Sequence, residues 1–400
     1  MTVTLVGMGG GSFSTLTLEA VEALKNADCI LGAKRLLDSL PHELTGNRIP
    51  AVKAAELLER LETGSYEAPA VIYSGDTGFY SGTKGLLALL RERNIPARVL
   101  PGLSSVQLLA ARLGRPWQDW KLCSAHGLVC DAVTAVLEGR PAFFLTGGSL
   151  GPADLCRQLA EAGLGELPVT VGENLSYETE KISSGTAEEF AGREFAPLSV
   201  LLAEGAPVPC PRRTPGIGDE EFIRDKVPMT KQEVRAAVLA KLAVCPGDTL
   251  WDVGAGTGSV SVELALAAPK GRTFAVECVP EAWELIRRNR EKFGAWNLTP
   301  VEGRAPEALS GLPAPDKVFI GGTRGSMGPI LDAVLEKNPQ AKICISAIAL
   351  ETLSAAVAEL TARGMEAEVC QISVSRTRAA GSHHLLTANN PVFLITGGGL

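Results

Sequence analysis

The stretch Trp251-Asp252-Val253-Gly254-Ala255-Gly256-Thr257-Gly258-Ser259 decides the reading of the C-terminal half of the chain. An apolar run over 249–253 leads into three spaced glycines, and residues 260–267 then take helical periodicity. Glycine adopts positive φ readily and lets the backbone approach a ligand with no Cβ between them. A strand, a glycine loop and a helix in that order therefore predict a nucleotide-type site at a strand end. A dinucleotide fits this context as well as other nucleosides do.

Two details separate the options. The dinucleotide pattern Gly-x-Gly-x-x-Gly needs a third glycine where this chain has Ser259. Asp252, ahead of the loop, suits a cationic sulfonium ligand with an ammonium group better than a phosphate. S-adenosylmethionine is such a ligand.

Outward from the loop, 273–276 reads as the next strand and ends on Glu277, a carboxylate placed to accept ribose hydroxyl hydrogen bonds. The following strand end, Glu302-Gly303-Arg304-Ala305-Pro306-Glu307, should lie beside the adenine. Upstream, 230–242 reads as a helix capped by Thr230, with Glu233 completing a capping box. Strands are expected at 318–320 and 343–347, and helices at 281–293, 327–335 and 353–363. The runs 367–374 and 391–396 have no helix between them, which predicts a doubly wound sheet ending in an antiparallel hairpin.

The first half has its own α/β rhythm. Strand patterns at 3–6, 70–73, 98–100, 142–146, 169–171 and 198–203 alternate with helical ones at 16–25, 83–91, 106–113 and 152–162. Its strand ends carry Val6-Gly7-Met-Gly9-Gly10-Gly11-Ser12, Tyr73-Ser-Gly75-Asp76-Thr77-Gly78-Phe79-Tyr80-Ser81-Gly82, Leu100-Pro101-Gly102-Leu103-Ser104-Ser105-Val106 and Glu173-Asn174-Leu175-Ser176-Tyr177. Asp76 between glycines is also a natural Asx-turn former, and His126 reads as a structural histidine at a strand end. Proline and glycine crowd 206–228, including Ala206-Pro-Val-Pro-Cys-Pro211. The expected organisation is a domain over 1–205, a linker over 206–228 and a second domain over 229–400.

Composition sets limits on function. The 400 residues carry a net charge of −7, with 38 basic and 45 acidic side chains, which counts against a nucleic-acid partner. Nine scattered cysteines with no Cys-x-x-Cys pair point to buried thiols in a reducing compartment. With four histidines and no spaced ligand set, no metal is expected; the adjacent pair His383-His384 would point to opposite faces of a strand. No signal-like or membrane-spanning run is visible, so no membrane partner and a cytoplasmic location are expected.

Two resemblances add to this reading. Gly216-Ile-Gly-Asp-Glu-Glu-Phe-Ile223, Pro228-Met-Thr-Lys-Gln-Glu-Val-Arg235, the glycine loop, Phe319-Ile-Gly-Gly322 and Asn390-Pro-Val-Phe393 occur in the order of the decarboxylating precorrin methyltransferases. The C-terminal half resembles the C15-methylating, C12-acetate-decarboxylating member. The resemblance implies a Rossmann-like class I methyltransferase fold and a cofactor site at Thr230, Gly254, Ala255, Gly256, Thr257, Gly258, Glu277 and Ala305. The family often has aspartate where this chain has Arg304, so the adenine contact expected there is altered.

The N-terminal half resembles the tetrapyrrole methylases, most closely the C5-methylating precorrin branch, through the quoted loops and the stretch from Pro101 to His126. That likeness implies a bilobal α/β domain with the cofactor in the cleft, contacted by Gly9, Gly75, Asp76, Phe79, Ser104 and Ser105. Gly10 stands where the family has proline. Together the resemblances imply two S-adenosylmethionine sites, a precorrin substrate and a homo-oligomer, with no side chain assigned as catalytic acid or base. A polycarboxylate substrate calls for guanidinium partners, and Arg376 and Arg378 in the turn before the final hairpin are the candidates, with Tyr80 in the first domain. Two alternatives stay open: a tandem methyltransferase for RNA or a small metabolite, and an NAD-dependent protein.

Overall fold

The computed structural model describes residues 1–44, 46–125, 130–148, 150–206 and 214–399. Contacts divide the chain into two compact units. One is Met1–Asp131, Arg140–Arg157 and Gly165–Gly205; the other is Ala132–Gly139, Gln158–Leu164 and Ala206–Leu400. The fold is mixed α/β, built on several sheets.

The first unit holds two five-stranded sheets. Strands β1 (Val3–Gly7), β2 (Cys29–Gly32), β3 (Asn47–Pro50), β4 (Pro69–Tyr73) and β5 (Ala97–Leu100) run parallel in the order β3-β2-β4-β1-β5. Alternate residues feed two cores: Val3 and Leu5 join one cluster, while Val6 joins another with Ile30 and Ile72. A sheet covered on both faces needs apolar side chains at odd and even positions alike, hence the near-continuous runs. The second sheet comprises β6 (Lys121–Ser124), β7 (Ala142–Leu145), β8 (Pro168–Glu173), β9 (Lys181–Thr186) and β10 (Ser199–Ala203), ordered β6-β7-β10-β8-β9. Only β6 and β7 pair in parallel there; the other pairings are antiparallel.

The second unit is organised by seven strands: β11 (Thr249–Val253), β12 (Arg272–Glu277), β13 (Leu298–Glu302), β14 (Lys317–Ile320), β15 (Lys342–Ala347), β16 (Glu368–Ile372) and β19 (Val392–Gly397). Their order is β13-β12-β11-β14-β15-β19-β16, with β19 antiparallel to both neighbours and the rest parallel. The strand order reverses direction at β11, which opens a crevice at the carboxyl ends of β11 and β14. The runs expected to form the closing hairpin are indeed adjacent. Between them, however, lies a separate ribbon of β17 (Ser375–Ala380) and β18 (His383–Ala388). Arg376 and Arg378 therefore sit on a strand and not in a turn. Strand β17 is polar and small, and β18 sets the pair His383-His384 beside the pair Leu385-Leu386, so neither shows the alternating apolar pattern of a half-buried strand.

Part of the segment read as a linker is built into the second unit. Ile217 and Phe222 are buried at 2% and 4% exposure, in one core with Ala275 and Ile286. The Glu263 carboxylate accepts the Gly216 and Ile217 amides at 2.7 and 3.2 Å, so this proline-rich chain is tied down by a buried acid instead of by secondary structure. Residues 207–213 lie outside the described residues. The cap expected at Thr230 moves as well. The helix is Gln232–Leu242 with Lys231 at its N-cap, and Asp219 Oδ1 accepts the Gln232 amide at 2.9 Å. Glu233 is bound to Arg376 and cannot fold back. No helix of the described residues is long and apolar enough to cross a membrane.

Candidate active sites

In the second unit a cavity of about 580 Å³ opens at the ends of β11, β12, β13 and β14. That volume falls in the range of about 300–1,000 Å³ usual for small-molecule sites. Gly254, Ala255 and Gly256 line it with Thr230, Glu277, Arg304 and Ala305. Gly254 has φ +74°, and a Cβ there would stand 2.7 Å from the Gly322 carbonyl oxygen, so two strand-end loops meet backbone to backbone. No other residue fits.

Glu277 is 8% exposed and already engaged. Its Oε2 accepts the Gly256 amide at 2.9 Å, and its Oε1 accepts those of Cys278 and Val279 at 2.8 and 3.0 Å. The carboxylate thus shapes the loop, and Oε2 has acceptor capacity left for a hydroxyl from the cavity. Thr257 and Gly258 do not line the cavity. Thr257 is 1% exposed, and a Cβ on Gly258 would press on Ile286 at 3.0 Å. They set the start of the helix Ser259–Ala267 behind the loop.

Asp252 corrects the sequence reading more sharply. It is fully buried, bonded to the Ser261 hydroxyl, and absent from the cavity wall. Burial pushes its carboxyl up to about 7, opposed by Ser261 and reinforced by the Glu277 charge. A charge-weakened acid beneath the loop is not a sulfonium contact.

Arg376 is likewise not free for a substrate. Its guanidinium forks onto Glu233 at 2.7 and 2.9 Å and reaches Asp219 Oδ2 at 3.3 Å. The Glu233 pairing holds Arg376 above its ordinary value. This is the outer end of a network centred on Arg235, which is 0% exposed and binds Glu263 and Asp219 at 2.7 and 2.8 Å. Arg378 is exposed on β17 and does not line the cavity. The cavity's own cations are Lys231, Arg304 and Arg324. Lys231 belongs to a segment that the sequence had marked, and Arg324 follows another, but neither had been assigned a role.

In the first unit the glycine loops converge. Gly9 and Gly75 exchange backbone hydrogen bonds at 3.1 and 2.8 Å. A Cβ on Gly102 would lie 2.4 Å from the Gly75 oxygen, whereas one on Gly75 would meet nothing within 4 Å. Gly75 therefore faces open space. Asp76 binds the Gly78 amide through Oδ1 at 2.8 Å and the Gly102 amide through Oδ2 at 3.1 Å. With both oxygens held by backbone, it fastens one loop to the next.

Ser104 is 4% exposed and caps the helix Ser105–Leu113, its hydroxyl accepting the Val106 amide at 3.2 Å. Ser105 begins that helix, where amides are unsatisfied and suit an anionic group. Phe79 packs edge-on against Tyr80 at 4.9 Å and beside Phe143 at 6.4 Å. Tyr80 is 52% exposed, with φ +48°, and its hydroxyl donates to the Leu122 carbonyl at 3.3 Å. His126 lies outside the described residues. Among the described residues no group of three or more His, Cys, Asp or Glu side chains is placed to hold a metal ion.

Comparison with known proteins fits both halves. Residues 2–191 match the tetrapyrrole (corrin/porphyrin) methylases, and residues 220–396 match the precorrin methyltransferase domain. A precorrin-6Y C(5,15)-methyltransferase [decarboxylating] from Sinorhizobium is 35% identical over 344 residues, spanning 84% of this chain and 81% of the relative. A probable cobalt-precorrin-6B C(15)-methyltransferase (decarboxylating) from Pyrobaculum calidifontis is 46% identical, over 46% of this chain and 97% of its own. A crystal structure of precorrin-6Y C5,15-methyltransferase from Geobacter metallireducens is 42% identical over 46% of this chain and 97% of its own, with a TM-score of 0.45. The chain is a methyltransferase of the kind that uses S-adenosylmethionine. It belongs to the decarboxylating precorrin-6Y C5,15-methyltransferase family.

Proposed function

We propose that this chain methylates a precorrin at C5 and C15 and removes the carboxyl group of the C12 acetate, converting precorrin-6B or its cobalt form to precorrin-8 in cobalamin biosynthesis. The first unit, a bilobal tetrapyrrole-methylase domain, takes C5. The second, a Rossmann-like class I domain, takes C15 and the decarboxylation. Each has its own S-adenosylmethionine site. The observation that carries the reading is the cavity at the β11–β14 ends, with its glycine loop and Glu277 on one wall.

The residues present fit the cofactor. Gly254, Ala255 and Gly256 offer bare backbone, and Glu277 offers a free lone pair for a ribose hydroxyl. In the first unit Gly75 faces open space, is paired with Gly9, and is followed by Asp76, which binds Gly102 two residues before the Ser104 cap of the Ser105 helix. S-adenosylmethionine, when bound, supplies a methyl group already activated by its sulfonium. The ring carbon is an electron-rich nucleophile, so the chain has to place the two in line and exclude water, which accounts for much of the acceleration. In the decarboxylation the electrons of the breaking bond pass into the conjugated macrocycle, and geometry again dominates.

The chain is read as a cytoplasmic homo-oligomer, without nucleic acid or membrane as a partner. Its described cysteines are all free thiols, and the β17–β18 ribbon exposes Leu385 and Leu386 at 56% and 74%. Calorimetric titration of the full chain tests the paired sites. Two equivalents of S-adenosylmethionine per chain support the reading, and one equivalent contradicts it.

A further inference from the structure

Arg112, Arg115, Arg235, Arg363 and Arg376 each hold a carboxylate. Lys231, Arg304 and Arg324 do not. Among the described residues no acid lies within ion-pair distance of any of them, and all three line the second-unit cavity. Arg304 Nη2 donates to the Arg324 carbonyl at 3.3 Å, so a side chain leaving the end of β13 reaches across to the loop after β14. Arg324 adopts φ +47°, a conformation uncommon for a residue with a side chain. Lys231 stands at the N-cap of Gln232–Leu242, where the helix dipole disfavours a cation. The one acid in the same lining, Glu277, is already engaged by three backbone amides, so the three cations repel each other until a further anion sits among them. At position 304 the family resemblance leads one to expect aspartate, so arginine reverses the charge locally in a chain that is acidic overall.

We propose that Lys231, Arg304 and Arg324 form a carboxylate-binding rim that holds acid side chains of the macrocycle over the second-unit cavity and so determines substrate specificity there. This rests on the precorrin reading for its substrate class. The acids held are ones that remain on the ring. An ion pair to the departing acetate would stabilise its ground state and slow the loss of carbon dioxide.

The test uses the full chain with Arg304→Gln, Arg324→Gln and the double variant, with Arg288→Gln on an exposed helix face as control. Binding of uroporphyrin, a stable octacarboxylate tetrapyrrole, is followed by fluorescence at low and high salt. S-adenosylmethionine affinity is measured separately by calorimetry. Each rim variant should weaken porphyrin binding roughly tenfold, flatten its salt dependence, and recover in part as Arg→Lys. The precorrin KM should rise in parallel, S-adenosylmethionine affinity should change by less than porphyrin affinity, and the Arg288→Gln protein should behave as the wild type. Unchanged porphyrin affinity in the double variant overturns the rim, as does a matching fall in cofactor affinity. If the rim variants weaken porphyrin binding but no precorrin is methylated, the rim stands and the precorrin reading fails. If precorrin is methylated with unchanged KM in the variants, the reverse holds.

Discussion

The Glu277 carboxylate, at the end of β12, holds the amide of Gly256 at 2.9 Å across the mouth of the glycine loop. The acid expected to meet a ribose therefore also fixes the loop that would meet the rest of the cofactor. Glu277→Gln replaces an acceptor with an NH₂ that opposes a backbone N–H on one side or the other. A buried donor left unpaired costs about 1–3 kcal/mol. Calorimetry should show the second-unit affinity for S-adenosylmethionine falling roughly ten- to hundredfold, with the first-unit site unaffected. Unchanged affinity at both sites would remove Glu277 from the cofactor site.

Arg235 is fully buried between Asp219 and Glu263. Arg235→Ala leaves two buried acids without their cation, and breaking such a pair from one side costs about 3–5 kcal/mol. Thermal unfolding should show the second unit melting well below its usual temperature. A melting curve that does not move would mean that the network is dispensable.

Asp252 gives a pH dependence with a definite sign. Its folded value is raised to about 7 from 3.8, so the folded chain binds the extra proton between those limits. Stability from this group is complete below about pH 4 and is lost as pH rises through 7. Chemical denaturation at pH 5 and pH 8 should therefore show a larger loss in the wild type than in Asp252→Asn, by about 2–4 kcal/mol. Equal losses would show that Asp252 titrates normally.

Gly10 replaces the proline common in the related tetrapyrrole methylases, and the space is filled by a neighbour. A Cβ on Gly10 would stand 2.2 Å from Ser176 Oγ. Ser176 itself has φ +73°, which glycine adopts without strain. Gly10→Pro alone should lower the melting temperature of the first unit, and adding Ser176→Gly should restore part of it, with Leu108 Cδ1 still 2.8 Å from the new Cβ. If the double variant is no better than the single one, the lost Gly10 amide bond to Thr15 governs the effect instead.

The exposed leucines of β18 predict self-association. Light scattering should give a mass of more than one chain for the wild type and a smaller one for Leu385→Glu/Leu386→Glu. A monomeric wild type contradicts the oligomer.

What was legible in the sequence had strong local patterns. The loop at 254–258 and the buried strands β1, β4, β11 and β15 stand out because close backbone approach demands glycine and two-faced burial demands unbroken apolar runs. The sequence reading names no strand at β2, β3, β6 or β9: β3, β6 and β9 carry polar, part-exposed residues, and β2, though apolar and buried, is only four residues long. The ribbon β17–β18 is exposed along nearly all its length and has no alternating apolar face to mark it. The site was harder to read than the fold, because charge pairing is a property of three dimensions. Nothing near Arg376 in sequence announces Glu233 and Asp219, which lie 143 and 157 residues away. Nor does Asp252 reveal that its neighbours seal it from the cavity, while Arg324 faces it.

Two independent methylating sites on one chain leave their signature in the mass of the product. Purified enzyme is given S-adenosylmethionine with precorrin-6B, and in parallel with its cobalt form, and compared with Gly75→Arg and Gly256→Arg variants. Each substitution places a long side chain into one site: Gly75 faces open space, and Gly256 lines the second cavity. The wild type should gain two methyl groups and lose carbon dioxide, and each variant should be limited to a single methylation. Loss of both methylations in either variant, or one methyl group at most in the wild type, would contradict it.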